Sequence, residues 1–146
     1  MVHRPFLINN YHIFCYTGVF VLIYVGVDII EIDRIANVRD KFPERFLKKI
    51  YTRGEQQYCR GRAPQMAARF AAKEAVMKAL GTGTKGVGWR EIEVVRRPGM
   101  APEIILHGRA ATRARSIGTC RVALSISHSR NFAVASVVIE SSRDCK

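Results

Sequence analysis

The stretch that most constrains this chain runs from Arg69 to Gly83: Arg-Phe-Ala-Ala-Lys-Glu-Ala-Val-Met-Lys-Ala-Leu-Gly-Thr-Gly. Ala, Glu, Lys, Met and Leu are strong helix formers, and Gly81 is a natural stop. Pro64 suits the first turn of the same helix, so one long helix is expected from about Pro64 to Leu80. Glu74 sits in it among Arg69, Lys73 and Lys78. On an exposed face Glu74 and Lys78 would form an ordinary i,i+4 pair worth about 0.2–0.5 kcal/mol. The helix composition alone does not separate that reading from a functional one.

The elements around this helix define an α+β domain. Phe20–Val27 is rich in Val, Ile, Phe and Tyr and reads as a buried strand. Phe14–Val27 is nearly uncharged, but it is too short to span a bilayer. It also runs into Asp28 without a small-residue cleavage site, so it is read as core rather than as a leader. Ile29, Ile32, Ile35, Val38 and Phe42 fall at helical spacing, which predicts a helix over about Glu31–Arg39 with Asp28 at the strand-to-helix junction. A second short helix is expected over Pro43–Ile50, and a third after the capping box Thr52-Arg53-Gly54-Glu55.

Gly81–Gly88 holds four glycines and reads as a loop. Strands are expected over Trp89–Arg96, Glu103–His107, Arg121–Ser127 and Phe132–Glu140, with a basic helix over Gly108–Ile117. Helices and strands come in runs, which points to α+β rather than to alternating βαβ units. A length of 146 residues suits a single domain. The expected organisation is an N-terminal extension over 1–21, the domain over 22–140 and a polar tail over 141–146.

Composition narrows the partners. The net charge of +12 favours acidic ones: nucleic acid, anionic lipid, phosphorylated ligands or an acidic protein. No nucleic-acid-binding signature is present, and the aromatics lie in apolar runs rather than among Lys and Arg. Cys15, Cys59, Cys120 and Cys145 form no Cys-x-x-Cys pair, which predicts reduced thiols.

Three clusters could carry chemistry. Asp28, after Val25-Gly26-Val27, could bind a metal ion or cap the next helix. Mg²⁺ commonly takes one or two carboxylates and completes its shell with water and phosphate, so Asp28 and Glu74 would suffice if the fold joins them. Lys78, one turn beyond Glu74, could then reach a phosphate oxygen. In Leu124-Ser125-Ile126-Ser127-His128-Ser129 a histidine follows an alternating strand, flanked by hydroxyls that could hold a phosphate. The glycine loop is not a P-loop, because it follows a helix and lacks the Gly-Lys-Ser/Thr end.

Taken together, Gly26–Ile35, Arg69–Gly83 and Ser125–Ser129, in this order and at this length, resemble the holo-[acyl-carrier-protein] synthases. These are the small, bacterial-type branch of the 4′-phosphopantetheinyl transferases. The resemblance implies an α+β fold of that type, an antiparallel sheet packed with helices. It implies transfer of 4′-phosphopantetheine from coenzyme A to a serine of apo-acyl carrier protein, in fatty acid biosynthesis. It implies Mg²⁺ held by Asp28 and Glu74, Lys78 on the pyrophosphate, and Glu74 or a water on the ion as the proton acceptor. His128, Ser127 and Ser129 would contact the nucleotide part, and Gly83 would let the backbone approach the ligand. Arg34, Lys41 and Arg45 would dock the acidic carrier protein. The resemblance also implies a cytoplasmic homotrimer with coenzyme A bound between neighbouring subunits, and neither a nucleic-acid nor a membrane partner.

Overall fold

Long runs of alanine let the central helix approach a sheet closely, and the rest of the fold follows from that contact. The computed structural model describes residues 12–16 and 19–142. Residues 1–11 of the expected extension and 143–146 of the expected tail lie outside them. Helix α4 is numbered fourth in a series: α1 (Ile32–Lys41), α2 (Pro43–Ile50), α3 (Arg53–Cys59) and α4 (Ala63–Ala79). Residues all round α4 are buried, among them Met66, Ala67, Ala71, Ala72, Ala75, Val76 and Met77. A helix without a polar face belongs in a core, not on a surface. Gly81, with φ +67°, ends it in the left-handed conformation glycine accepts most readily.

The sheet has the order β1-β2-β6-β5 and is antiparallel throughout. Its strands are β1 (His12–Tyr16), β2 (Val19–Glu31), β5 (Thr119–His128) and β6 (Phe132–Ser142). A separate two-stranded ribbon joins β3 (Ile92–Val95) to β4 (Glu103–Leu106), and α6 (Gly108–Ser116) follows it. Helix α4 lies against the sheet at Gly26, where an added Cβ would stand 1.9 Å from the Ala75 carbonyl oxygen. No side chain fits there. Beside Gly26 on the same face, Ile30 and Ala133, Ala135, Val137 and Ile139 of β6 complete the buried layer. No helix among the described residues is long and apolar enough to cross a membrane.

Several boundaries differ from expectation. Strand β2 continues to Glu31 because β6 pairs with it from Val21 to Glu31, so Asp28 lies inside the strand, opposite Ala135. Helix α1 starts at Ile32 with Glu31 at its N-cap, and no side chain caps it. Capping is therefore not the role of Asp28. Gly83–Gly86 winds into the short helix α5, and Trp89–Glu91 forms a 3-10 turn ahead of β3. Part of the expected extension forms β1, an edge strand paired to the start of β2. The capping box at Thr52 is present in full, as expected. Cys59 is a buried free thiol, whereas Cys120 is disulfide-bonded, which corrects the expectation of thiols throughout.

A buried ion pair ties α3, α4 and β3 together. Lys73 Nζ lies 2.8 Å from Glu55 Oε2, and neither side chain is exposed. Lys73 also donates to the carbonyls of Trp89 (2.9 Å) and Ile92. Glu55 accepts from the amides of Thr52 at 2.8 Å and Val94 at 2.9 Å. Burial pushes the Lys73 ammonium pKa down, and Glu55 opposes that shift.

Candidate active site

The pleat of β2 sends alternate side chains to opposite faces, so Asp28 shares the α4 side of the sheet with Gly26 and Ile30. Lys78 reaches across from the last turn of α4. Its Nζ lies 2.8 Å from Asp28 Oδ1 and donates to the Val27 carbonyl at 2.9 Å. Lys78 therefore pairs with Asp28, not with Glu74 as a surface i,i+4 pair would require. An ammonium has three N–H donors, so one remains for a ligand. The Lys78 side chain is half exposed, which leaves that donor facing solvent.

Glu74, one turn earlier on α4, is partly buried. Burial raises its carboxyl pKa, and the nearby charge of Asp28 raises it further; Lys78 and Arg34 act in the opposite direction. Asp28, Glu74, Lys78 and Arg34 of α1 thus form one electrostatic cluster. Among the described residues no group of three or more His, Cys, Asp or Glu could hold a metal ion. Two carboxylates do not make a closed structural site of the zinc type. They do fit Mg²⁺, which leaves most of its shell to water and phosphate.

The strand register carries the site toward β5. His128 is opposite Ala133, and Ile126 is opposite Ala135, the same residue that faces Asp28 on β2. Asp28 and the end of β5 are thus two strand spacings apart, about 10 Å. At that end opens a cavity of about 380 Å³ lined by Ser127, His128, Ile126, Tyr58, Gln65, Ala68, Arg69, Arg96 and Pro102. Ser129 does not line it. Its amide donates to the Phe132 carbonyl at 2.8 Å and closes the β5–β6 turn.

Arg69 and Arg96 are the residues that sequence reasoning did not assign to the site. Arg69 is only 4% exposed. One terminal nitrogen donates to the Gln65 carbonyl at 3.2 Å, while its Nε and the Gln65 Oε1 have no partner among the described residues. A buried cation with an unpartnered donor, beside a cavity, is suited to an anion. The signal was present in the sequence, because Arg69 opens an otherwise apolar turn of α4.

The remaining expected residues lie elsewhere. Gly83 begins α5 with φ +57°, and open space surrounds the position a Cβ would take. Arg45 lies on α2, where it and Lys49 rim an apolar hollow of about 270 Å³ lined by Val38, Phe42 and Phe46.

A strand carboxylate, a buried helix carrying a second carboxylate and a lysine, and a basic cavity at the sheet end have the chemistry to receive a phosphorylated ligand. The model of the 4′-phosphopantetheinyl transferase superfamily matches residues 24–135, and the chain belongs to that family. Relatives within it include holo-[acyl-carrier-protein] synthases. The one from Koribacter versatilis is 50% identical over 119 residues, covering 79% of this chain and 95% of that protein. The one from Gloeobacter violaceus is 45% identical over 119 residues, covering 79% and 90%. The Helicobacter pylori enzyme, solved in complex with coenzyme A, superposes with a TM-score of 0.72 at 32% identity, over 79% of this chain and 98% of that one.

Proposed function

We propose that this chain is a cytoplasmic, Mg²⁺-dependent holo-[acyl-carrier-protein] synthase, with its catalytic domain over 22–140, serving fatty acid biosynthesis. It transfers 4′-phosphopantetheine from coenzyme A to a serine of apo-acyl carrier protein and releases adenosine 3′,5′-bisphosphate. The observation that carries the reading is the cluster in which Lys78, one turn beyond Glu74 on α4, binds Asp28 of β2 at 2.8 Å. Asp28 and Glu74 would hold the Mg²⁺, which would supply positive charge to the pyrophosphate oxygens. Lys78 turns its remaining donor to the same phosphates, where a fixed charge counts for more than in water. Glu74, or a water on the ion, would accept the proton of the attacking serine. Arg69, Arg96, His128 and Ser127 hold the nucleotide end, with its negative charge, in the cavity at the end of β5.

The outer face of the sheet supports a trimer. Val25, Val27 and Ile29 of β2 are 56%, 50% and 63% exposed, and Val138 of β6 is 38% exposed. An uncovered apolar patch of this kind marks an interface. Sedimentation equilibrium is expected to give three times the chain mass; a monomer at micromolar concentration would remove this part of the reading.

Arg34, Lys41 and Arg45 dock the carrier protein, with the hollow between α1 and α2 taking its apolar contact. Such charges act mainly on association and are screened by salt. Raising salt from 50 to 500 mM is expected to increase KM for the carrier protein about tenfold and to leave KM for coenzyme A less affected. An unchanged carrier KM would rule out this docking surface. The function itself is tested by chromatography: adenosine 3′,5′-bisphosphate should appear only when coenzyme A and apo-carrier are both present. Its formation from coenzyme A alone, or its absence with both, would refute the proposal.

A further inference from the structure

Tyr58 of α3 lines the same cavity as Arg69, and its ring centroid lies 3.9 Å from the Arg69 guanidinium carbon. Arg62 approaches that ring at 5.9 Å. Among the described residues Arg69 has no ion pair with a carboxylate. The buried carboxylate on the same helix as Tyr58, Glu55, is committed elsewhere: one oxygen takes Lys73 and the Thr52 amide, the other the Val94 amide. The guanidinium is therefore held by an aromatic face rather than by an anion.

That difference has a chemical consequence. A carboxylate at position 58 would fix the arginine and also cancel its charge. The ring attracts the cation through its quadrupole and carries no net charge. Arg69 therefore keeps its charge for a ligand, alongside Arg96 and His128. We infer that Tyr58 is a positioning residue that aims Arg69 at the cavity and so sets the preference for a nucleotide bearing a phosphate on its 3′-oxygen. This rests on reading the cavity as the nucleotide end of the coenzyme A site.

The test is calorimetric binding of adenosine 3′,5′-bisphosphate and of adenosine 5′-monophosphate, which needs no transfer to occur. The quantity read is the ratio of the two Kd values. Tyr58→Leu is expected to shrink the wild-type ratio about tenfold, through weaker binding of the bisphosphate. Tyr58→Phe keeps the ring and should keep the ratio, and Arg69→Met should abolish it. If Tyr58→Leu keeps the ratio while Arg69→Met loses it, the positioning role is overturned and the reading of the cavity stands. If neither variant changes it, both are overturned. Equal weakening of the two nucleotides by Tyr58→Leu would mark a merely structural residue and also overturn the inference, as would a Phe variant that behaves like Leu.

Discussion

Alanine at Asp28 or at Glu74 is expected to lower transfer by about a thousandfold or more while leaving the fold intact. The fold survives because neither carboxylate belongs to the packed core. Asp28 pairs with Lys78, whose side chain is 51% exposed, so water replaces the carboxylate once Asp28 is removed. Glu74 accepts no hydrogen bond that α4 needs in order to stand. Partly exposed pairs of this kind contribute about 1 kcal/mol or less to stability. The loss of activity follows from the pairing itself. Burial, and after it the repulsion of Asp28, raises the Glu74 pKa when no cation is present. Protons and a divalent cation then compete for the same oxygens, so transfer should weaken as pH falls into the range where Glu74 protonates. Turnover in Mg²⁺ within threefold of wild type for either alanine variant would contradict the metal assignment. Circular dichroism and thermal unfolding close to wild type would show that lost activity reflects chemistry.

Glu55→Ala should have the largest effect on stability, without touching a ligand. It leaves Lys73 fully buried and without a carboxylate, and orphans the amides of Thr52 and Val94. Breaking one side of a buried pair costs about 3–5 kcal/mol. For a domain of this size that lowers Tm by roughly 10–15 °C. Glu55→Gln keeps an acceptor for the two amides but loses the charge, so it should fall between wild type and alanine. The sign of pH dependence is also set. Burial depresses the Lys73 pKa, and a group with a depressed basic pKa favours folding less as pH falls. A Tm loss under 3 °C for Glu55→Ala would show that this pair does not hold α3 and β3 to α4.

Much of this was legible from residue patterns because local rules and tertiary packing agree. The Thr52 capping box, the Pro64 start and the Gly81 stop all stand where the sequence places them. The end of β2 was not legible. The isoleucines from Ile29 onward fit a helical period, but β6 pairs with the strand as far as Glu31, and that continuous ladder overrides the spacing. The i,i+4 spacing of Glu74 and Lys78 does not decide their partners, for a related reason. Side chains on a buried helix reach across to other elements, so Lys78 meets a residue 50 positions away. Arg69 stood out in the sequence as the charge opening an apolar turn, but its ring partner Tyr58 lies eleven positions back on another helix, so its role beside the cavity shows only in the fold. The difference between Lys73, which is structural, and Lys78, which faces the site, rests only on which side of α4 meets β3 and which meets β2.

Intact-mass spectrometry of the carrier protein tests the central claim most directly. Apo-acyl carrier protein is incubated with coenzyme A, Mg²⁺ and this protein, then with the Asp28→Ala and Glu74→Ala variants in its place. The account predicts one phosphopantetheine mass increment on the carrier with wild type and none with either variant or in the presence of a chelator. An unmodified carrier with wild type, or full modification by either variant, would contradict it.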